Sequence, residues 1–332
     1  MRGPVLVVGP IVAWVAARRL DSCGGLQLVG VRLALHDGAM AVLNSVTDPQ
    51  NASVAAERLL AAVRAYRRVA VAFSGGVDSA VVAAAAAREC ELAVAVTAVS
   101  PSLATGELEE ARKVAAAIGI RHEVVRTDEF DRPGYLENAG NRCYFCKTEL
   151  YERIESLADS LGFDVILNGT NVDDLGDHRP GLTAAAEHRV RSPLVEAGLR
   201  KADVREIARL WNIPIWNKPA SPCLSSRIAY GVEATPERVR RIDAAEQFLK
   251  QRLGIEVLRV RCEQGELARI EVPVEVLPAL VAEDIRKDVA SKLRELGFRR
   301  VTIDLEGFRS GSLNDQLPLV ELAIASAPAS DA

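Results

Sequence analysis

The chain has 332 residues, 49% of them apolar and 26% charged, which is enough apolar material for one large domain or two modest ones and excludes a disordered polymer. Its 41 basic and 45 acidic residues leave a net charge of −4, which speaks against a nonspecific nucleic-acid binder coated in basic side chains. The charge is uneven: residues 1–198 hold 20 basic and 25 acidic side chains, and residues 199–310 hold 21 and 17, a surplus that suits an anionic small substrate.

Residues 1–50 read unlike the rest, with Gly-Pro, Gly-Gly and Asp-Pro breakers and a Met at position 40. We expect either a small strand-rich extension or a true start near Met40. The apolar run over 5–17 is broken by Gly9 and Pro10 and falls short of the roughly 20 residues a spanning helix needs. A soluble, cytoplasmic protein without membrane contact is therefore expected.

From residue 51 the grammar is regular. Apolar spacing predicts a helix over 53–66 with Ser53 as its N-cap, a strand over 68–73, and an alanine-rich helix over 80–88 that has no polar face until its end. A buried strand over 92–99, a helix over 107–118, a strand over 121–126, a helix over 145–161 and a strand over 164–167 follow. Strands alternating with helices of this length predict an α/β fold with a parallel sheet. After about residue 193 the pattern changes. A helix over 201–210 leads into an irregular stretch over 211–227 rich in Pro, Asn and Ser. Thr235-Pro-Glu then starts a helix running to about 253. Strands over 256–261 and 268–272, a helix over 282–296 and a strand over 300–305 complete a small α+β unit. The expected organisation is an extension over 1–50, a nucleotide domain over 51–195, an irregular segment over 196–234, an α+β domain over 235–314 and a frayed tail over 315–332.

Ser74-Gly-Gly-Val-Asp-Ser79 lies between a strand and a helix. Two glycines let the backbone turn its N–H groups inward, two hydroxyls flank the turn, and the helix offers its positive end to an anion. The loop lacks the Gly-Lys-Ser/Thr ending of a Walker loop and is not a Gly-x-Gly-x-x-Gly fingerprint. Cys143-Tyr-Phe-Cys146 opens a predicted helix, where the helix N-terminus is expected to lower thiol pKa values, and Cys223 follows in the irregular stretch. On residue types alone a redox dithiol, a zinc site and a three-cysteine iron–sulfur cluster remain open. The six cysteines (23, 90, 143, 146, 223 and 262) are too sparse for a disulfide scaffold, and Cys23, Cys90 and Cys262 read as simple thiols.

The Ser-Gly-Gly-Val-Asp-Ser loop resembles the pyrophosphate loop of the N-type ATP pyrophosphatases, which cleave ATP to AMP and pyrophosphate while adenylating an acceptor. Asn141-Arg-Cys-Tyr-Phe-Cys-Lys147, Asn168-Gly-Thr-Asn-Val-Asp-Asp174, Asp177-His-Arg-Pro-Gly181, the stretch from Trp216 to Gly231, Arg259-Val-Arg261, Ala268-Arg-Ile-Glu271 and the stretch from Asp304 to Ser312 are similar, in order and spacing, to the LarE family. That family comprises ATP-dependent sulfur transferases that act on pyridinium-3,5-biscarboxylic acid mononucleotide to build the nickel-pincer cofactor. The resemblance covers roughly 52–314.

The resemblance implies an adenine nucleotide α-hydrolase-like fold. It implies that Ser74, Gly75, Gly76, Asp78 and Ser79 hold the pyrophosphate of ATP, with Asp78 or the Asp173-Asp174 pair near Mg²⁺. Ser100 would mark the adenine end, and Asn168, Thr170 and Asp173 would line the same edge. Cys223 matches a cysteine that in one branch of the family gives up its own sulfur and becomes dehydroalanine. In the other branch it joins a Cys-x-x-Cys pair around a [4Fe-4S] cluster, and the presence of Cys143 and Cys146 implies that branch. Arg227, Arg259, Arg261, Glu271 and Arg309 are substrate-binding candidates, and Tyr144 is placed to stack on a pyridinium ring. Homo-oligomers are expected by the same resemblance. Two rival enzymes share the loop, a tRNA thiolase and an amide-forming ligase of the NAD synthetase kind. The acidic balance argues against the first, and the second leaves three cysteines without a role. A non-catalytic nucleotide sensor is a third reading.

Overall fold

The structure, a computed structural model, describes residues 16–20, 26–30, 49–176 and 180–309. Most of the N-terminal extension, Cys23, His178 and the tail from 315 lie outside the described residues. In the first of two units, Met1–Val46, strands β1 (Ala16–Leu20) and β2 (Leu26–Gly30) pair antiparallel.

In the second unit, Thr47–Ala332, α1 (Pro49–Val63) precedes β3 (Arg68–Ala72), α2 (Val77–Glu89), β4 (Leu92–Val99), α3 (Glu107–Ile118) and β5 (Arg121–Arg126). The short α4 (Pro133–Leu136), then α5 (Arg142–Glu155) and α6 (Ala158–Leu161), lead to β6 (Val165–Leu167). Helix α1 starts at Pro49, so Ser53 lies inside it rather than at its cap; proline presets the φ of a first helical turn. The helix expected over 145–161 is two helices, α5 and α6.

Strands β3 to β6 form a parallel sheet in the order β5-β4-β3-β6. The α/β expectation holds. Both faces are buried at β3 and the middle of β4, as the centre of a parallel sheet requires. Val69, Val71 and Ala95 pack with α2 and α1, whereas Ala70, Val94 and Val96 pack with Tyr151 and Ile154 of α5. Helix α2 needs no polar face because Ala80 to Ala86 are buried all round. The chain winds from β3 out to β5 and then returns to add β6 on the other side of β3. Ligands of open α/β sheets bind beyond the carboxyl ends of strands at such a reversal. The Ser74 loop leaves β3 there, and the Asn168 loop leaves β6 beside it.

Helices α7 (Gly181–Glu187), α8 (Pro193–Glu196) and α9 (Lys201–Leu210) lead to α10 (Pro236–Leu253), which Thr235 caps by accepting a hydrogen bond from Arg238 N at 3.3 Å. A second sheet contains β7 (Arg259–Glu263), β8 (Leu267–Glu271) and β9 (Arg300–Ile303), antiparallel then parallel. The short α11 (Leu277–Val281) and α12 (Glu283–Glu295) complete the unit. Its core joins α10 and α12 to Phe130, Tyr135, Leu224 and Ile228, so the segment bearing Cys223 is packed into it.

Candidate functional site

At the sheet edge Gly75 turns with φ +70°, and a Cβ there would lie 2.9 Å from Cβ of Ala111 on α3. Only glycine fits both the angle and the approach. Ser79 Oγ accepts from Ser74 N at 3.2 Å and donates to the Gly76 carbonyl at 3.1 Å, while Ser74 Oγ accepts from Gly76 N at 3.3 Å. The hydroxyls thus hold the turn, and exposed Ser74 leaves it open to a ligand. Gly169 presses on the backbone of Asp78 and Ser79, where a Cβ would meet Ser79 N at 2.7 Å. One carboxylate oxygen of Asp78 contacts Lys201 Nζ. The other, Oδ1, is buried without a hydrogen-bond partner.

The Asn168 loop is self-bonded. Asn168 Oδ1 accepts from Thr170 N at 3.1 Å and Ser192 Oγ at 2.8 Å. Asp173, a Mg²⁺ candidate on sequence, accepts from Arg200 at 2.8 Å and from Lys201 N at 2.9 Å, and these contacts hold its carboxyl below the ordinary range. It braces the start of α9. Ser100 donates to buried Glu129, whose Oε1 also accepts from Ser102 Oγ at 3.0 Å and whose Oε2 is buried without a partner.

Cys143 and Cys146 lie in the first turns of α5, and Cys223 is the cap of a short turn over 224–227. Cys143 and Cys223 are exposed and Cys146 is partly buried. The dipole argument fails at Cys146: burial, then Cys223 and Glu129, push its thiol well above the ordinary range. Burial opposes charge on Arg142, yet Cys223, Cys143 and Tyr135 outweigh it and keep the guanidinium above its ordinary pKa. The three cysteines thus share one electrostatic neighbourhood. Among the described residues no three His, Cys, Asp or Glu side chains are drawn together as ligands of one ion.

The walls of this neighbourhood escaped the sequence reading. Asn138, at φ +50°, donates to the carbonyls of Ala229 and Val232 at 2.8 Å each and accepts from Arg142. It staples the segment after Cys223 to the entry of α5. Tyr135 Oη meets Ser225 Oγ at 2.7 Å. Such partners lie about 90 residues apart in the chain, and the only local sign was a polar run just before Cys143. Asn138→Ala is expected to cost roughly 2–4 kcal/mol in urea unfolding, because it orphans buried carbonyls and puts alanine at a left-handed angle.

The candidate arginines stand in different surroundings. Arg227 is buried against Glu246 (3.1 Å) and donates to the Pro222 carbonyl and to that of Cys223 at 3.0 Å. Arg261 is buried in a two-bond pair with Glu271 at 2.9 Å, and Glu271, wholly buried, also takes Arg269 at 2.7 Å. Arg309 is exposed beside Glu306 at 2.7 Å. Arg259 differs: it stacks over Phe308 at 5.0 Å and donates to the carbonyls of Leu258 and Ala220. Burial, together with Arg227 and Arg261, brings its pKa down to about 10. Among the described residues no carboxylate is hydrogen-bonded to it, although Glu246 and Glu271 act on it through space. Tyr144 spends its hydroxyl on Glu187 at 2.7 Å and meets Phe145 edge to face. Cys90 and Cys262 are thiols pushed up to about 11 by burial.

Comparison with known proteins decides the family. The asparagine synthase family model matches residues 55–139, the part that carries the phosphate loop. A pyridinium-3,5-bisthiocarboxylic acid mononucleotide synthase of Lactiplantibacillus plantarum is 36% identical over 267 residues, 80% of this chain and 95% of that protein. The chain belongs to the LarE family of ATP-using sulfurtransferases. An uncharacterized protein of Synechocystis is 48% identical over 74% of this chain and 92% of its own length. A tRNA-specific 2-thiouridylase of Azorhizobium caulinodans is 31% identical, but over 47% of this chain and 50% of its own. Likeness to the tRNA enzyme thus covers half of each chain, whereas likeness to LarE runs almost the whole length of the relative. Among the described residues no helix is long and apolar enough to cross a membrane.

Proposed function

We propose that this LarE-family chain adenylates a carboxylate of pyridinium-3,5-biscarboxylic acid mononucleotide with ATP and replaces the activated oxygen by sulfur, in the cytoplasm. One observation carries the reading: the phosphate loop and a three-cysteine neighbourhood belong to a single folded unit, in a chain matching 95% of a relative so named. Oxide is a poor leaving group, and adenylation exchanges it for AMP. Residues 51–195 would bind and cleave ATP, with Ser74 to Ser79 around its phosphates. Asp78 Oδ1, buried and unpartnered, suits a Mg²⁺ ion accompanying the nucleotide. Arg259 would take the phosphate of the substrate.

Cys143, Cys146 and Cys223 would hold a [4Fe-4S] cluster, which when bound supplies an iron free to carry sulfide. Their donor chemistry fits: Cys143 and Cys223 feel the cation of Arg142, and all three thiols feel that of Lys147, which offsets thiolate charge. Arg227, itself held by Glu246, donates to the carbonyls of Pro222 and Cys223 and so would fix where that thiol stands.

The test is anaerobic incubation with ATP, Mg²⁺, sulfide and the dicarboxylate nucleotide. Mass spectrometry is expected to show oxygen exchanged for sulfur in the nucleotide, with AMP and pyrophosphate formed alongside. ATP cleavage that depends instead on added tRNA, with sulfur entering the RNA, would overturn the reading.

A further inference from the structure

One face of α3 serves two places at once. Glu107, Glu110 and Ala111 stand three and four residues apart and therefore share a face. Ala111 is the residue against which Gly75 of the phosphate loop is packed. Glu107 and Glu110 accept from Lys218 Nζ at 2.8 and 2.6 Å, and Glu107 also accepts from Ser221 Oγ at 3.0 Å. Beyond Cys223, Leu224 N donates at 2.8 Å to the carbonyl of Ser102, in the connection that leads into α3. The segment bearing Cys223 is thus fastened on both sides of the thiol to α3 and the connection before it.

We propose that Lys218 is a positioning residue for sulfur transfer, tying the Cys223 segment to the α3 face that abuts the phosphate loop. The lysine is mostly shielded from solvent, with 15% of its side chain exposed, so the pairing is not a freely solvated surface contact. Two carboxylates on adjacent turns repel each other when nothing neutralises them, and Lys218 answers both. Without it the glutamates lose the cation that draws the 218–221 stretch onto the helix, and of the upstream contacts of Cys223 to α3 only that of Ser221 to Glu107 is left. The phosphate loop keeps its own contacts, since Ser74, Gly76 and Ser79 bond among themselves. Adenylation and sulfur transfer should therefore separate.

This inference rests on the sulfur-transfer reading, and the experiment keeps the two apart. Lys218→Met, Lys218→Arg and the double variant Glu107→Gln/Glu110→Gln are compared with wild type in three measurements. These are substrate-dependent ATP–pyrophosphate exchange, thiocarboxylate formation, and amide hydrogen exchange across residues 216–224. Lys218→Met and the glutamine pair should slow thiocarboxylate formation by roughly ten- to a hundredfold, the scale of a misplaced reacting group. They should leave ATP–pyrophosphate exchange within about twofold, since transition-state contacts of the first step are untouched. Amide exchange over 216–224 should quicken, and Lys218→Arg should restore all three. Unchanged transfer, an equal loss of both activities, or unaltered amide exchange in the glutamine pair would overturn the role of Lys218. A wild-type protein that forms no thiocarboxylate would instead overturn the functional reading, and amide exchange would still decide the anchor.

Discussion

Replacing Asp78 by Asn, or Ser74 by Ala, is expected to lower ATP-dependent pyrophosphate release by roughly two to three orders of magnitude, the usual effect of losing one group aimed at developing charge. Melting temperatures should stay near wild type, because neither side chain is a core contact: Ser74 is exposed and Asp78 lies at the mouth of α2. The asparagine keeps the shape of Asp78 but removes the charge that engages Lys201 and leaves Oδ1 available. On the proposed reading, Lys201 would lose its counter-charge beside the nucleotide phosphates, and a Mg²⁺ ion would lose an anionic oxygen. Ser74→Ala acts differently, since it removes the hydroxyl that accepts from Gly76 N and faces Ser79 Oγ at 3.2 Å. Two unlike defects in one loop should converge on one lost step. Full pyrophosphate release from both variants would remove adenylation from the account.

Much of the fold was legible because apolar spacing was regular along the chain. Strand Leu92–Val99, helix Glu107–Ile118, strand Arg121–Arg126 and helix Lys201–Leu210 begin and end where spacing placed them. The Thr235 cap was legible for the same reason, a side chain acting within three residues of itself. What local spacing cannot carry is pairing at a distance. Arg227 and Arg261 are substrate-binding candidates on sequence, and nothing local announces their carboxylate partners Glu246 and Glu271, 19 and 10 residues away. Strand alternation did put Arg259 and Arg261 on one face, and both reach the 216–227 segment, through the carbonyls of Ala220 and Ser226. Of the four candidate arginines, only Arg259 has no hydrogen-bonded carboxylate among the described residues. At Cys146 a local rule, thiol acidity at a helix start, lost to desolvation, which no nearby residue announces. The site motifs themselves were plain, and the buried polar groups that set them in place were not.

The cysteines separate two chemistries. If Cys143, Cys146 and Cys223 hold one cluster, replacing any of them by Ala should remove most of the iron, the acid-labile sulfide and the broad thiolate-to-iron absorption of anaerobically purified protein. Repeated turnover should fall by at least roughly a hundredfold in all three variants, as expected when members of one working unit are deleted singly. ATP–pyrophosphate exchange should persist in each, because the Ser74–Ser79 contacts involve no sulfur. Cys146→Ala is the most telling of the three. Its thiol is pushed up by burial and is a poor nucleophile on its own, so loss of transfer there reports the need for a shared ligand set rather than for a second attacking sulfur. A sacrificial cysteine gives another pattern. Only Cys223→Ala would abolish transfer, the Cys143 and Cys146 variants would keep a single turnover, and the spent chain would be lighter by one sulfur and two hydrogens. Exposed Cys223, with its two flanking carbonyls pinned by Arg227, is presented well enough for either chemistry, so geometry alone favours neither. The mass of the protein after one turnover decides between them: an unchanged chain is the expected result, and dehydroalanine at position 223 would overturn the cluster assignment.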